Sequence, residues 1–114
     1  MSRADLMSLI FDMQLHASDI CAFTEGRARA DLDTDRMFML AVTRALEVIG
    51  EAAGKVREED RIAMPEIPWK EVVGLRNRLA HEYAMIDLGI VWSICTQDIP
   101  KLLDTLDEII ERNA

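Results

Sequence analysis

Five residues in the stretch GLRNRLAHEYAMID, residues 74–87, have side chains suited to chemistry on a phosphate group. Arg76, Asn77, Arg78, His81 and Tyr83 lie within eight positions, and Tyr83 is the only tyrosine of the chain. A guanidinium is always cationic and its fork of donors fits a phosphate, whereas an imidazole takes or gives a proton near neutral pH. The stretch therefore indicates a site for a phosphate-containing substrate.

The reaction that suits these groups is cleavage of RNA without a metal ion. A base removes the proton from a ribose 2′-hydroxyl, an acid protonates the departing 5′-oxygen, and a cation stabilises the charge on the phosphate between them. His81 can be the base or the acid, and Arg76 or Arg78 the cation. The reaction needs two proton-transfer groups, which a two-fold homodimer with two motifs across one cleft would supply. Tyr83 could bind the phosphate or stack on a base.

Helical spacing constrains how these side chains can meet. Asn77 and His81 are four apart and share a face, so the amide can orient the imidazole. Arg76 and His81 are five apart, which separates them by about 140° around an ideal helix. Either the helix ends near Ala80 and His81 turns back, or the arginine meets a histidine from another chain.

A structural role for the same residues is the rival interpretation. Arginine and histidine near a helix C-terminus also interact favourably with the helix dipole and the last carbonyl groups. Glu82 and Asp87 are the only nearby carboxylates, so we predict no metal site and no cofactor. His16, close to Asp12 and Asp19, is predicted to be a surface histidine.

Composition favours one all-α domain over residues 1–114. Half of the residues are hydrophobic, 5% are aromatic and five are glycine, a mixture that favours helix over sheet. The formal net charge of −8 argues against a long basic face for duplex DNA and against a polybasic membrane anchor. Cys21 and Cys95 form no Cys-x-x-Cys pair, and there is no signal-peptide pattern or membrane span, so we expect a cytoplasmic protein.

Apolar periodicity predicts a first helix from Asp5 to about Phe23, then a loop over residues 24–34. A central helix follows, with Asp33 or Thr34 as its N-cap. Gly50 and Gly54 make a flat strip on it where another helix can approach. Arg44 and Glu47 on the same helix form a salt bridge at the rim or border a cleft.

The second half of the chain predicts two or three more helices after a proline-containing connection. Helix three runs from about Trp69 to His81, with Pro68 suited to its first turn. Asp87 is the expected N-cap of helix four, and Pro100 should kink that helix or begin a new one. The expected apolar positions of these last segments are Ile90, Val91, Ile94, Leu102, Leu103, Leu106 and Ile110. The sequence thus predicts an antiparallel bundle of four to five helices.

Three segments together resemble the HepT-like branch of the HEPN superfamily. RNRLAHEY resembles its Arg-x4-His-x-Tyr signature, RALEVIGEAAGKV its second-helix signature, and PEIPWKEVVGLRNRL the entry into the motif helix. The resemblance covers roughly residues 40–92 in detail. It implies an all-α, usually dimeric fold and a metal-independent ribonuclease, the toxin half of HepT/MntA toxin–antitoxin pairs.

The resemblance also assigns roles to individual residues. Arg76 and His81 take the catalytic positions, with Asn77 and Arg78 in support, and Tyr83 matches the tyrosine that a minimal nucleotidyltransferase antitoxin adenylylates. It implies a homodimeric type VII toxin that cuts RNA, either tRNA or mRNA, with an MntA-like partner. The alternatives are a non-catalytic HEPN module that binds nucleotide or docks on the nucleotidyltransferase, and a plain helical scaffold.

Overall fold

The first helix follows the pattern that the sequence predicts. The computed structural model describes residues 1–81 and 87–114, without the side chains of residues 80 and 81. Helix α1 spans Arg3–Thr24 and begins at Ser2, whose hydroxyl accepts from the backbone of Asp5 while the Asp5 carboxylate accepts from the backbone of Ser2. This capping box satisfies amide groups that the first turn leaves free. The predicted apolar stripe faces the core at Ile10, Met13, Ala17 and Ile20.

Three further helices position the motif. A short helix, α2, spans Asp31–Thr34, α3 spans Arg36–Gly54, and α4 spans Glu58–Ala63. Helix α5, the motif helix, spans Trp69–His81, as the sequence predicts, and the carbonyl of Pro68 accepts its first backbone hydrogen bond from Val72. The predicted loop at 24–34 and the predicted connection before Pro68 therefore each contain a short helix.

The start of α3 differs from the prediction by one or two residues. Asp35 is its N-cap and accepts from the backbone of Phe38, whereas Thr34 ends α2. Arg27 donates to the Asp35 carboxylate at 2.7 Å and lies over the Phe38 ring at 4.2 Å. The pKa of Asp35 is lowered by that bond with Arg27 and by its N-cap bond. Of the three adjacent polar residues 33–35, the one that caps α3 is also the one that binds Arg27 most closely.

The last three segments form one helical rod with a change of winding in the middle. Helix α6 spans Leu88–Ser93, a π-helical segment spans Ile94–Asp98, and α7 spans Ile99–Arg112. Asp87 caps α6 as predicted, accepting from Gly89 and Ile90. Pro100 lacks an N–H and lies in the first turn of α7, directly after the π-helical segment. The chain therefore stays helical through Pro100, and the wider π-helical winding before it accommodates the missing N–H.

Apolar side chains from α1, α3, α5 and the α6–α7 rod form one core. Helix α1 packs on α3 and α7, and α3 packs on α5. Ile90 is 43% exposed, so its predicted place in the core was wrong, and Ile109 is buried where Leu103 and Ile110 are only half-buried. The described ranges contain no strand. The all-α, HEPN-like bundle is confirmed, with α1, α3, α5 and the rod as its long members.

None of the helices in the described ranges has both the length and the apolar character needed to cross a bilayer.

Candidate active site

The motif helix presents three consecutive polar residues to solvent. Val72, Leu75 and Leu79 of α5 are buried at 4%, 5% and 7% exposure, and they fix which side of the helix faces the core. Arg76, Asn77 and Arg78 lie on the remaining surface and are exposed. Their polar groups are therefore available to a ligand, because it is the apolar residues of α5 that face the core.

The backbone of Arg76 on α5 packs closely against Gly50 of α3. A Cβ atom placed on Gly50 would lie 3.0 Å from the backbone nitrogen of Arg76 and 3.3 Å from its Cβ. It would also lie 3.3 Å from the carbonyl oxygen of Val72. Two of these atoms belong to the backbone and cannot rotate away. Gly50 thus lets α5 lie directly on α3 and sets the place from which the Arg76 side chain extends.

The second glycine of the predicted strip has no such neighbour. A Cβ on Gly54 would meet nothing within 4 Å among the described residues, and Gly54 is exposed. The predicted close approach is confirmed at Gly50 and wrong at Gly54. Arg44 forms surface ion pairs with Glu47 at 3.2 Å and with Glu51 at 3.6 Å, so the predicted salt bridge at the rim is confirmed.

Replacing Gly50 by alanine should therefore destabilise the fold. Overpacking costs about 1–3 kcal/mol, and the better helix propensity of alanine returns about 1 kcal/mol, so the free energy of unfolding should fall by up to about 2 kcal/mol. Thermal unfolding should show a melting temperature several degrees lower. Gly54→Ala is the matched control and should leave the melting temperature unchanged or slightly higher. Equal melting temperatures for the two variants would contradict the tight contact between α3 and α5.

Asn77 and Arg78 line two different grooves beside α5. Asn77 lines a groove between α4 and α5, whereas Arg78 lines a second groove between α5 and the α6–α7 rod. Arg78 shares that second groove with Lys101 and Asp98. Successive residues leave a helix about 100° apart, so the three exposed polar side chains of α5 extend in different directions. The supporting role of Arg78 remains a prediction.

Helix α5 ends at His81, close to the predicted end near Ala80. The direction of the imidazole would distinguish the two arrangements that the spacing allowed. On a regular helix His81 stays about 40° from Asn77 and about 140° from Arg76. The imidazole itself lies outside the described part of the structure. Tyr83 belongs to residues 82–86, which are outside the described residues altogether.

The start of α5 is held by two residues that the sequence analysis did not single out. Arg61 of α4 donates to the carbonyl oxygens of Val56, Ala53 and Gly54 at 3.0, 3.3 and 3.3 Å. Its guanidinium also lies 5.8 Å from the ring centre of Trp69, and the Trp69 indole donates to Met64 at 3.0 Å. These bonds join the end of α3 to the first residue of α5. An arginine shortly after a helix end, followed by a tryptophan, was the available clue.

Neither cysteine is suited to act as a nucleophile. Burial raises the pKa of Cys95 to about 12, and burial also raises the pKa of the half-buried Cys21 thiol. Both groups are therefore protonated near neutral pH, and the thiolate is the reactive form.

The remaining predictions concern His16 and possible metal ligands. His16 is partly exposed on α1, and its Nδ1 lies 2.7 Å from the carbonyl oxygen of Asp12 within the same helix. In the part of the chain that the structure describes, no three His, Cys, Asp or Glu side chains are grouped as metal ligands would be.

Comparisons with known proteins identify the family. Residues 13–109 match the family described as Ribonuclease HepT-like. "Putative RNase MJ1380" of Methanocaldococcus jannaschii is 39% identical over 102 residues, which cover 90% of this chain and 94% of that protein. "Probable ribonuclease HepT" of Thermococcus cleftensis is 34% identical over 87 residues, which cover 76% of this chain and 79% of that protein. No solved structure matches significantly.

The family match and the two relatives each extend over most of the chain, including the motif helix and the helices that pack around it. The predicted family and the predicted enzyme class are thereby confirmed: the chain belongs to the HepT-like ribonuclease family.

Proposed function

We propose that this ribonuclease is a metal-independent endoribonuclease toxin of a type VII toxin–antitoxin pair. Its RNA substrate is tRNA or mRNA, and its antitoxin is an MntA-like minimal nucleotidyltransferase that switches it off by adenylylating Tyr83. The observation that carries the proposal is the exposed side chains of Arg76, which packs on Gly50, and of Asn77, followed on the same helix by His81. One motif thus supplies a phosphate clamp, an amide that can orient the imidazole, and one of the two proton-transfer groups that cleavage by the ribose 2′-hydroxyl uses.

In the proposed mechanism, Arg76 binds the scissile phosphate through its guanidinium and stabilises the charge that develops on it. His81 exchanges a proton with the 2′-hydroxyl or with the departing 5′-oxygen, and Asn77 holds the imidazole in the right orientation. Attack of the 2′-oxygen on phosphorus breaks the bond to the 5′-oxygen. The products are one RNA ending in a 2′,3′-cyclic phosphate and one beginning with a 5′-hydroxyl.

Incubation of the purified protein with single-stranded RNA in EDTA tests this function. The expected result is cleavage whose products carry 2′,3′-cyclic phosphate and 5′-hydroxyl ends, identified by mass spectrometry. Products with 3′-hydroxyl and 5′-phosphate ends would contradict attack by the 2′-oxygen. Absence of any cleavage would favour the non-catalytic alternative, a HEPN module that binds nucleotide or docks on the nucleotidyltransferase.

A homodimer is part of the proposal because one motif offers one histidine. The helical position of His81, about 140° from Arg76 on the same α5, also favours an arginine and a histidine from different copies facing one another. The two motifs would line one cleft, related by a two-fold axis. Each copy then supplies one proton-transfer group to a shared site.

Mixing intact and inactive chains tests whether the site is shared. Intact protein is unfolded and refolded with increasing amounts of His81→Ala protein, and the RNA cleavage rate is measured at constant total protein. If both histidines serve one cleft, the rate should fall as the square of the intact fraction, because mixed dimers are inactive. A linear fall would show that each histidine works without the other. Light scattering of the intact protein should give the mass of a dimer, and a monomeric mass would overturn the shared site.

A further inference from the structure

A groove of about 560 Å³ leads away from the motif along the surface between α4 and α5. Asn77 lines the end of this groove that is nearest to Arg76 and His81 in the sequence, and Ile62 lines it on α4. We call it the Trp69 groove. Its lining residues are Glu58, Arg61, Ile62, Trp69, Lys70, Val73, Gly74 and Asn77.

The Trp69 groove carries more positive than negative charge, although the whole chain has a net charge of −8. Lys70 and Arg61 line it, against the single carboxylate of Glu58. Among the described residues neither cation forms an ion pair; the guanidinium of Arg61 bonds to carbonyl oxygens instead. A locally positive groove in an acidic protein attracts a phosphate selectively, since the rest of the surface repels it.

The groove on the other side of α5 has the opposite balance. Arg78 and Lys101 line it together with three carboxylates, those of Glu66, Glu71 and Asp98. An RNA strand that reaches the motif is therefore favoured on the Asn77 side of α5 and disfavoured on the Arg78 side.

The Trp69 groove also offers apolar surface on which a base could lie. Trp69 is half-buried, and the exposed fraction of Ile62 is 70%, which is unusual for so large an apolar side chain. The Trp69 ring is held by its own hydrogen bond to Met64 and by the Arg61 guanidinium, so it needs no reordering on binding. Rigid aromatic and apolar side chains beside a cation are the usual means by which proteins bind single-stranded RNA.

Gly74 keeps the middle of this groove open. It lies in the interior of α5, where glycine weakens a helix. A Cβ on Gly74 would meet nothing within 4 Å among the described residues, so tight packing does not account for the glycine as it does at Gly50. Any longer side chain at position 74 would instead project into the groove.

We infer that the Trp69 groove is a substrate-binding site for the nucleotide next to the cleaved phosphodiester bond. Lys70 binds the backbone phosphate of that nucleotide, and its base lies against Trp69 and Ile62 above Gly74. The inference rests on the proposed RNA cleavage and adds to it a binding site outside the motif. Such a site would favour binding of single-stranded RNA, whose bases are free to stack.

Binding can be tested without cleavage, in a His81→Ala background that leaves the RNA intact. The dissociation constant of a fluorescein-labelled single-stranded RNA of eight nucleotides is measured by fluorescence anisotropy at several salt concentrations. Lys70→Ala should weaken binding and reduce the slope of log Kd against log salt by about 0.7, the value for one lost phosphate contact on a single strand. Lys101→Ala, which removes a lysine from the other groove, is the matched control and should leave the slope unchanged.

Substitutions of Gly74 that fill the groove test whether a base binds there. Gly74→Leu should raise Kd by about tenfold, the scale of one lost base–aromatic contact, without changing the salt slope. Gly74→Ala, which adds one methyl group, should raise it much less. The inference would be overturned if the His81→Ala protein bound RNA equally well with and without the Lys70→Ala or Gly74→Leu substitution. A change in oligomeric state with Gly74→Leu, seen by light scattering, would also overturn it and make this face an interface between two copies of the chain.

The experiments distinguish failure of the groove inference from failure of the proposed reaction. If the intact protein cuts no RNA but Lys70→Ala and Gly74→Leu weaken binding as expected, the groove is supported and the reaction is not. If the intact protein cuts RNA and neither substitution changes Kd, the reaction stands and the groove inference is overturned.

Discussion

His81→Ala should lower the rate of RNA cleavage by a factor on the order of 10² or more, the usual effect of removing an acid–base group. The expected loss is in kcat, because the imidazole transfers a proton in the transition state and contributes little to substrate binding. Cleavage of a fluorogenic RNA under single-turnover conditions measures it. His16→Ala is the matched control, since His16 is the only other histidine and lies on α1. Equal losses in both variants would contradict a catalytic role for His81.

Arg76→Ala should cause a loss of similar size, on the order of 10² or more, through the loss of the phosphate clamp. Alanine keeps the Cβ atom that packs on Gly50, and the rest of the Arg76 side chain is exposed. The melting temperature should therefore stay nearly unchanged while the rate falls. Arg76→Lys should recover only part of the activity, because lysine keeps the charge and loses the fork of donors. Arg112→Ala removes an exposed arginine at the far end of α7 and should have no effect.

EDTA should leave the rate of the intact protein unchanged, since the proposed cation is a guanidinium. Loss of activity on chelation, with recovery on addition of magnesium, would count against the mechanism. The same result would make the carboxylates near the motif, Glu82 and Asp87, the first residues to examine as metal ligands.

Tyr83→Phe should keep the toxin active in cells that also produce the antitoxin. The phenyl ring has no hydroxyl to receive AMP, so the nucleotidyltransferase cannot switch the protein off. In the proposed switch, AMP on Tyr83 places its phosphate against Arg76 or Arg78 and keeps the RNA backbone out. Growth of cells with both genes measures this effect: cells with intact Tyr83 should grow, and cells with Tyr83→Phe should not.

The chemical state of Tyr83 provides the control for this prediction. Intact protein purified with its partner should carry the mass of one AMP on the peptide that contains Tyr83, and this form should bind RNA more weakly. A peptide without added mass would mean that the antitoxin acts by another route. If Tyr83→Phe is inactive even without the antitoxin, the hydroxyl belongs to the catalytic site and the switch modifies a catalytic group.

The sequence by itself determined the secondary structure around the site and the family. The bounds Trp69–His81 of the motif helix follow from Pro68 and from the apolar spacing of Val72, Leu75 and Leu79. These features are local: a proline without an N–H begins a helix, and a periodic apolar stripe defines its buried side. The motif residues, read in order along the chain, were equally available without coordinates.

Tertiary contacts decided which of two glycines on α3 packs closely against α5. Gly50 and Gly54 lie four residues apart on α3 and look alike in the sequence, yet only Gly50 meets the backbone of α5. The difference comes from where two helices cross, which depends on the packing of side chains from both of them. In the same way, Asp35 is the cap of α3 and also binds Arg27, eight residues away, a contact that the capping pattern alone does not indicate.

Tertiary structure also decided how the site divides around α5. Asn77 and Arg78 are neighbours in the chain, but they line grooves formed with different helices and with opposite charge balance. Arg61 and Trp69 acquire their part in the site from hydrogen bonds across α3, α4 and α5. Spacing within one helix gives only the angle at which a side chain leaves it. What that side chain meets is set by the neighbouring helices, whose residues lie far away in the sequence.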